Sequence, residues 1–486
     1  MKEGWVKVTL NDIAKWGSGG TPKSTVPEYY YGDIPWLIIG DMNDGYISDS
    51  EKHITELGLK NSSAKIVEPE SVLIAMYGSI GKLGINKVHV ATNQAIAFTQ
   101  ILYKSTLNKY LFYYLLLIRP KLYKLGKGGT QINISQTVLK KVEFPLSPLP
   151  EQRAIVIKIE QLYSDLDKGI ENLKKAQEQL KIYRQAVLKK AFEGELTKEW
   201  REKQTDLPTG ETLLNEIKIE FDILEKEKKK KKEKQLPSIN NKDIPHKIPK
   251  EWIWCNLGQV TWFINGDRGK NYPNKSEYVT EGIPWINTGH IEPDGSLSKE
   301  RMNFITREKY DSLRSGKIGK NDLVYCLRGA TFGKTAFVKP YEEGSIASSL
   351  MIIRSNEKIN KKFLYRFLTS VEGKNQLLRF DNGSAQPNLS ANMVRLYAYP
   401  LPSIIEQNQI VFEIENRLSV CDKLEESIKE SLLKAEALRQ SILKKAFEGK
   451  LLNEQEQQAC GQEPDWEPAE KLLERIKNEN ITKNSK

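Results

Sequence analysis

Two short loops in this chain are built from the same polar parts. One is Lys127-Gly-Gly-Thr130-Gln131, followed by Asn133; the other is Asn382-Gly-Ser384-Ala-Gln386, followed by Asn388. Their glutamines and final asparagines lie at one common offset, 255 residues. An amide side chain can pair bidentately with adenine N6 and N7 in a DNA major groove, and Arg or Lys suits guanine O6 and N7. Gly128 and Gly383 would let the backbone come close to such a partner. The basic candidates for guanine or phosphate are Lys23, Lys82 and Lys127 in the first part of the chain, and Arg268, Lys270, Arg328, Lys334 and Arg379 in the second. A plainer alternative stays open for each. Amides and hydroxyls also tie a loop to its own backbone, and exposed Lys and Arg serve solubility.

Other chemistry is not encoded in any recognisable spacing. Gly329-Ala-Thr-Phe-Gly-Lys-Thr335 is one residue short of the phosphate loop G-x-x-x-x-G-K-[ST], so a turn between strands suits it better. Gly17-Ser-Gly-Gly-Thr21 lacks the dinucleotide spacing. His53, His89, His246 and His290 have no Cys or His partner at metal-ligand spacing. There is no G-x-S-x-G nucleophile elbow. The chain is expected to be non-catalytic, with no cofactor or metal of its own.

The polar loops sit inside a larger duplication. Arg184–Leu196 reads RQAVLKKAFEGEL and Arg439–Leu451 reads RQSILKKAFEGKL, identical at 10 of 13 positions, again offset by 255. Upstream of the first copy, apolar residues fall at Ile155, Ile159, Leu162, Leu166, Ile170, Leu173, Leu180 and Val187, with Phe192 near its end. The second run carries Ile410, Ile414, Cys421, Leu424, Ile428, Ala435, Leu438 and Ile442, with Phe447 near its end. Steps of three and four make the seam of a helix laid along another helix. Ser147-Pro148 is expected to open the first helix, and Ser403 with Glu406 has the form of a capping box. Gly194 and Gly449 are expected C-terminal stops. Each helix would span about 66 Å at ~1.5 Å per residue. Equal rods with matching seams are expected to pair within one chain; a homodimerising coiled coil is the alternative.

At 486 residues the chain exceeds one hydrophobic core. The net charge of +11 suits a polyanion, and would also suit an anionic membrane surface. Cys255, Cys326, Cys421 and Cys460 are far apart, as reduced cytosolic thiols are. The start has no apolar targeting stretch, and the longest apolar run, Leu111–Ile118, is too short to span a bilayer. A cytoplasmic protein without membrane contact is expected.

In chain order, residues 1–150 read as a first head, with strands at Pro35–Ile39, Ser71–Tyr77 and Ala95–Leu102 and a helix over Leu107–Lys124. Residues 151–197 are a spacer helix, and 198–250 a linker with the Lys-rich run Glu225–Lys234. Residues 251–402 repeat the head at lower identity: Ile34-Pro-Trp36 answers Ile283-Pro-Trp285, and Gly78–Lys82 answers Gly329–Lys334. Residues 403–452 are the second spacer and 453–486 a tail, where Leu472–Lys477 echoes Leu213–Lys218. The fold class is α+β: two similar α/β heads separated by a pair of long antiparallel coiled-coil helices, an internal pseudo-two-fold repeat. Loops that differ on a shared scaffold point to two different ligands.

Two heads, each followed by a long helix opening near Pro148-Leu-Pro-Glu-Gln152 or Pro402-Ser-Ile-Ile-Glu-Gln407 and closing in LKKAFEG, resemble the specificity subunits of type I restriction-modification systems. The likeness spans essentially the whole chain, including the Trp-rich opening of the second head, Pro249–Trp254. It implies two target-recognition domains, each reading half of a bipartite, asymmetric double-stranded DNA sequence. The paired helices would be a spacer and the docking surface for two methyltransferase (M) subunits, joined by restriction (R) subunits. S-adenosylmethionine, ATP and Mg would belong to those partners. A stand-alone two-headed DNA-binding regulator and a coiled-coil scaffold remain alternatives.

Overall fold

The computed structural model describes residues 2–126, 132–227, 236–240, 243–328, 332–379 and 389–484. They fold as two compact units, one formed by Met1–Lys174 with Lys429–Lys486, the other by Lys175–Ile428. Each contains one head, part of each long helix and, among the described residues, two shorter helices that follow a rod. No helix among the described residues is long and apolar enough to cross a membrane.

The heads share one plan. In unit 1 a five-stranded sheet runs in the order Ala14–Ser18, Ile96–Leu102, Val72–Ala75, Leu83–Asn86, Gly45–Ile47. In unit 2 a four-stranded sheet runs Thr261–Asn265, Leu350–Ser355, Leu323–Cys326, Thr335–Phe337. A smaller mixed sheet adjoins each, built on Tyr30–Leu37 or Ile283–Ile286. A two-stranded ribbon closes each head, Val6–Thr9 with Glu143–Leu146 and Ile253–Asn256 with Ala398–Leu401. The near-phosphate-loop stretch joins two antiparallel strands: Gly333 N donates to Cys326 O and Cys326 N to Lys334 O, both at 2.8 Å. Gly81 and Lys82 close the same turn on Ala75 in unit 1.

Both long helices have 44 residues, Leu149–Phe192 and Ile404–Phe447. Gly194 and Gly449 follow with φ of 76° and 75°, the left-handed conformation that stops a helix. The helices run antiparallel, and the repeat shows in their ion pairs. In unit 2 Arg184 donates to Asp422 at 2.6 Å and Glu425 at 2.9 Å; in unit 1 Arg439, the copy of Arg184, pairs with Asp167, the copy of Asp422. These half-exposed pairs set register more than stability, at about 0–1 kcal/mol each.

The seam departs from expectation at two leucines. On the second helix the buried line takes every seventh residue: Ile414, Cys421, Ile428, Ala435, Ile442. One helix lying on one other buries only a narrow stripe. Leu424 and Leu438, three positions past that line, turn to the flank and are 49% exposed. Leu162, Leu166, Leu173 and Leu180 are half-buried, whereas Ile155, Ile159 and Ile410 are buried among head residues.

Phe192 and Phe447 are not seam residues either. Each completes an aromatic cluster inside a head. Phe447 meets Tyr110 at 4.9 Å and Tyr114 at 5.1 Å, and both tyrosines meet Phe144 edge-on. Phe192 meets Phe363 at 5.3 Å and Phe367 at 5.5 Å, and both phenylalanines meet Tyr399. The tail helices follow suit. Leu213, Leu214 and Ile217 are buried in unit 2, and Leu472 and Ile476 in unit 1. Gly210 N donates to Glu251 O, and Ala469 N, one copy later, to Gly4 O. Each head is therefore finished by the rod end and tail of the other half of the sequence.

The helix starts show what the Glu-Gln pairs do. Gln152 accepts from Leu107 N at 3.0 Å and donates to Ser105 O and Ser147 O. Gln407 likewise accepts from Asn360 N at 2.9 Å and donates to Pro402 O. Each joins the start of a rod to the start of a head helix. Glu151 accepts from Trp5 Nε1 at 2.9 Å and Lys2 Nζ at 2.7 Å. Glu406 accepts from Trp252 Nε1, Thr197 Oγ1 and Arg201 Nη1 at 2.8, 2.8 and 2.5 Å. So the capping box at Ser403 is half made: the hydroxyl accepts from Glu406 N, while the carboxylate serves these three donors instead. Ser147 does not cap with its hydroxyl, which donates to Tyr110 Oη; Pro148 O takes the first helical N–H, from Gln152.

Candidate nucleic-acid interface

In head two, two strand ends converge. The strand Thr261–Asn265 is followed by Gly266, where a Cβ would lie 2.7 Å from both Ile346 O and Ala347 O, so only glycine passes. Asp267 then folds the next turn over itself, its carboxylate accepting from Gly269 N at 2.7 Å and Arg314 N at 2.8 Å. These N–H donors, Arg314 first, hold the Asp267 carboxyl below the usual carboxylate range. The turn presents Arg268 and Lys270 to solvent. The second strand, Leu323–Cys326, leads to buried Leu327, whose carbonyl accepts from Leu389 N at 3.0 Å, and then to exposed Arg328. Cys326 Sγ donates to Arg328 O, fixing where that side chain starts.

Arg268 and Arg328 thereby share one open groove of about 520 Å³, with Asn265, Ser315, Ser390 and Asn392 as further polar lining. Two guanidiniums beside amides and hydroxyls can take guanine edges or phosphate oxygens.

Head one holds the same positions with other side chains. Its turn after Ala14–Ser18 passes Gly19 and Gly20, and is pinned by Trp36 Nε1 to Gly20 O at 3.0 Å and Tyr30 Oη to Pro22 O at 2.7 Å. Counted from the strand ends, Thr21 stands where head two has Arg268, and Lys23 where it has Lys270, also exposed. Met76 O accepts from Ile134 N at 2.9 Å, as Leu327 O does from Leu389 N, so Tyr77 is the counterpart of Arg328. Tyr77 bridges to Asn133, and both are exposed.

The remaining candidates divide. Lys334 is exposed on the hairpin turn. Lys82 is half-buried and donates to Ile39 O at 3.3 Å. Arg379 is exposed, and its guanidinium pairs with Gln376 at 2.6 Å and Asp243 at 2.9 Å. Lys127, Thr130, Gln131, Asn382, Ser384, Gln386 and Asn388 lie outside the described residues. Sequence reasoning passed over Tyr77, Asn265, Asp267, Ser315 and Asn392. The match of Gly78–Lys82 with Gly329–Lys334 could have flagged Tyr77, since it sets Tyr77 against Arg328; the others come together only through the fold.

Substituting Asp267 with Ala leaves the Gly269 and Arg314 amides without acceptors, at about 1–3 kcal/mol for the turn. Amide hydrogen exchange at those two positions should speed up accordingly; unchanged protection would show the turn is held otherwise. Because the folded carboxyl titrates below its unfolded value of about 3.9, this support is present above that pH and lost only as pH falls through the lower folded value. The turn should stay intact from neutral to mildly acidic conditions.

A family model described as the type I restriction modification DNA specificity domain matches residues 2–175 and 249–434. The type I restriction enzyme EcoBI specificity subunit of Escherichia coli is 25% identical over 494 residues, covering 100% of this chain and 94% of that protein. The MjaIX specificity subunit of Methanocaldococcus jannaschii is 28% identical over 297 residues, 59% of this chain and 58% of that one. An HsdS subunit from Thermoanaerobacter tengcongensis has the same fold, with a TM-score of 0.58 at 17% identity over 93% of this chain and 98% of that chain. A chain from a type I R-M system solved to explain complex assembly and conformational transition gives 0.67 at 17% identity, over 93% and 99%. The family match falls on both heads and on the first part of the rod that follows each. With two matching heads, paired helices and full-length relatives of one kind, the chain belongs to the type I restriction-modification DNA specificity family and is a specificity subunit.

Proposed function

We propose that this specificity subunit reads a bipartite, asymmetric DNA target, one half through each head, and leaves all catalysis to its partners. What carries the reading is the contrast at equivalent positions: Arg268 and Arg328 in head two, Thr21 and Tyr77 in head one, on a repeated scaffold. Arginines fit guanine edges bidentately and also take phosphates, whereas a threonine hydroxyl and a tyrosine ring lack that bidentate fit, so the two half-sites should differ. The rods act as spacer and as docking surface for two methyltransferase subunits, with restriction subunits joining them. S-adenosylmethionine, ATP and Mg are held on those partners. Half-sites about one helical turn apart, ~34–36 Å, present the same groove face to both heads.

The test is co-purification with the methyltransferase subunit, then titration of the assembly with duplexes varied one base pair at a time. A two-M, one-S assembly that binds far more tightly than the chain alone is expected; equal binding by the lone chain would favour the stand-alone regulator. Arg328→Ala should cost about 1–3 kcal/mol of discrimination at one base pair if it reads a base. If it meets phosphate instead, all sequences weaken together and the salt slope falls by about one. Should Arg268→Ala and Arg328→Ala combined change neither, head two reads DNA elsewhere.

A further inference from the structure

In head one the turn carrying Thr21 has a second polar neighbour. Gln94 is the middle residue of a tight turn between the strands Val90–Thr92 and Ile96–Leu102. That turn is braced on both flanks. Asn93 N donates to Leu37 O at 3.0 Å, and Asn93 Oδ1 accepts from Ala95 N at 3.1 Å. Ala95 O accepts from Met76 N at 2.7 Å, which ties the turn to the segment leading into Tyr77. Thr92 O accepts from Gly20 N at 2.9 Å, which ties it to the segment leading into Thr21. At Gly19 a Cβ would lie 1.9 Å from Thr92 O, so only glycine lets these segments meet. Gln94, Thr21 and Tyr77 are all exposed, and Thr21 Oγ1 donates to Gln94 Oε1.

Head two repeats this frame without the amide. Ala347 N donates to Ile286 O at 2.7 Å, as Asn93 N does to Leu37 O, and Leu327 N donates to Ser349 O at 2.9 Å, as Met76 N does to Ala95 O. Ser348 therefore holds the place of Gln94. The turn closes equally well on a serine, so the longer side chain of Gln94 is not there for the turn.

We propose that Gln94 is a base-reading residue of head one, and that the base it reads is adenine. A carboxamide has one oxygen with two lone pairs and an NH2 with two donors. The Thr21 hydroxyl takes one lone pair and so orients the amide. The second lone pair is left for a ligand, as is the NH2, which has no protein acceptor among the described residues. An acceptor beside a donor matches adenine N6–H and N7 in the major groove, whereas guanine offers two acceptors there and suits arginine. Phosphate oxygens only accept, and would face the amide oxygen with charge of its own sign. Lys23 is the phosphate candidate on this turn. The inference rests on head one reading DNA, and goes beyond that reading in naming the residue and the base.

The test uses the full chain assembled with its methyltransferase subunit. Replacing residues 1–150 by another head first shows which half of the methylated sequence belongs to head one. Adenines of that half-site are then exchanged one at a time for 7-deazaadenine, which keeps the N6 amino group and lacks the N7 acceptor. Affinity should fall about tenfold at one position, the equivalent of ~1.4 kcal/mol. Gln94→Ala should lose the same factor on the natural duplex and nothing further when that adenine is exchanged. Thr21→Val, which keeps Gln94 but frees its amide, should lose part of it. Both residues are exposed, so the unfolding temperature should not move. No loss at any exchanged adenine, or additive losses from the exchange and Gln94→Ala, overturns the proposal. So does Gln94→Ala weakening all sequences equally, which would assign the residue to phosphate. A half-site that changes with the head but not with Gln94 overturns this inference alone; a methylated sequence that ignores the head exchange overturns the reading beneath it as well.

Discussion

Replacing Glu406 with Ala is expected to destabilise unit 2 by about 3–5 kcal/mol, the cost of breaking a buried ion pair from one side. The carboxylate is fully buried, and its loss strands three donors at once: the Arg201 guanidinium, the Thr197 hydroxyl and the Trp252 indole N–H. Among the described residues, Arg201 then keeps Gly194 O at 3.0 Å and a distant Glu251 at 3.7 Å. Glu151→Ala should cost less, because its cationic partner Lys2 is partly exposed and can return to water. Ser403→Ala removes only the helix cap, about 1 kcal/mol. Since the chain has two units, one unfolding curve does not isolate these effects. Hydrogen exchange across Ile253–Asn256 and Ala398–Leu401 should, and equal losses for Glu406→Ala and Ser403→Ala would contradict the buried-anchor account.

Phe192→Ala is the second large effect, about 3–5 kcal/mol for truncating a buried aromatic. Its location is more telling than its size. Phe192 ends the rod that follows head one in sequence, yet it sits among Phe363, Phe367 and Tyr399 of head two. Protection should fall in Lys361–Thr369 and Ala398–Leu401, while unit 1 keeps its own. Phe447→Ala should do the reverse through Tyr110, Tyr114 and Phe144. The two effects should add, since the sites share no partner. If either substitution loosened only the rod, these residues would belong to the seam after all.

Those two cases mark where sequence reasoning reaches and where it stops. The rods, their glycine stops and the strands near 72–75 and 96–102 are legible because helix and strand periods, and left-handed glycines, are local signals. Which head a rod end completes is not local. Two copies of equal length carry the same apolar pattern, so either pairing satisfies it, and only long-range packing chooses. Leu424 and Leu438 fit the three-four spacing, but burial follows the seven-residue line through Cys421 and Ala435. The Glu-Gln pairs stand out in the sequence while their partners, Trp5 and Trp252, lie 146 and 154 residues away. In the site, Arg268 and Arg328 were legible as exposed basic residues, and the fold brings them into one groove. Arg379 has the same chemistry by type, and only the fold shows its guanidinium paired with Asp243 and Gln376.

The central claim is that each head reads its own half of one DNA target. Mapping methylated adenines across a genome tests it most directly, first with this chain and its methyltransferase partner, then with residues 251–402 replaced by the corresponding head of another specificity subunit. The account predicts that one half of the methylated sequence changes while the other half and the gap between them stay as they were. A change in both halves, or in neither, would contradict it.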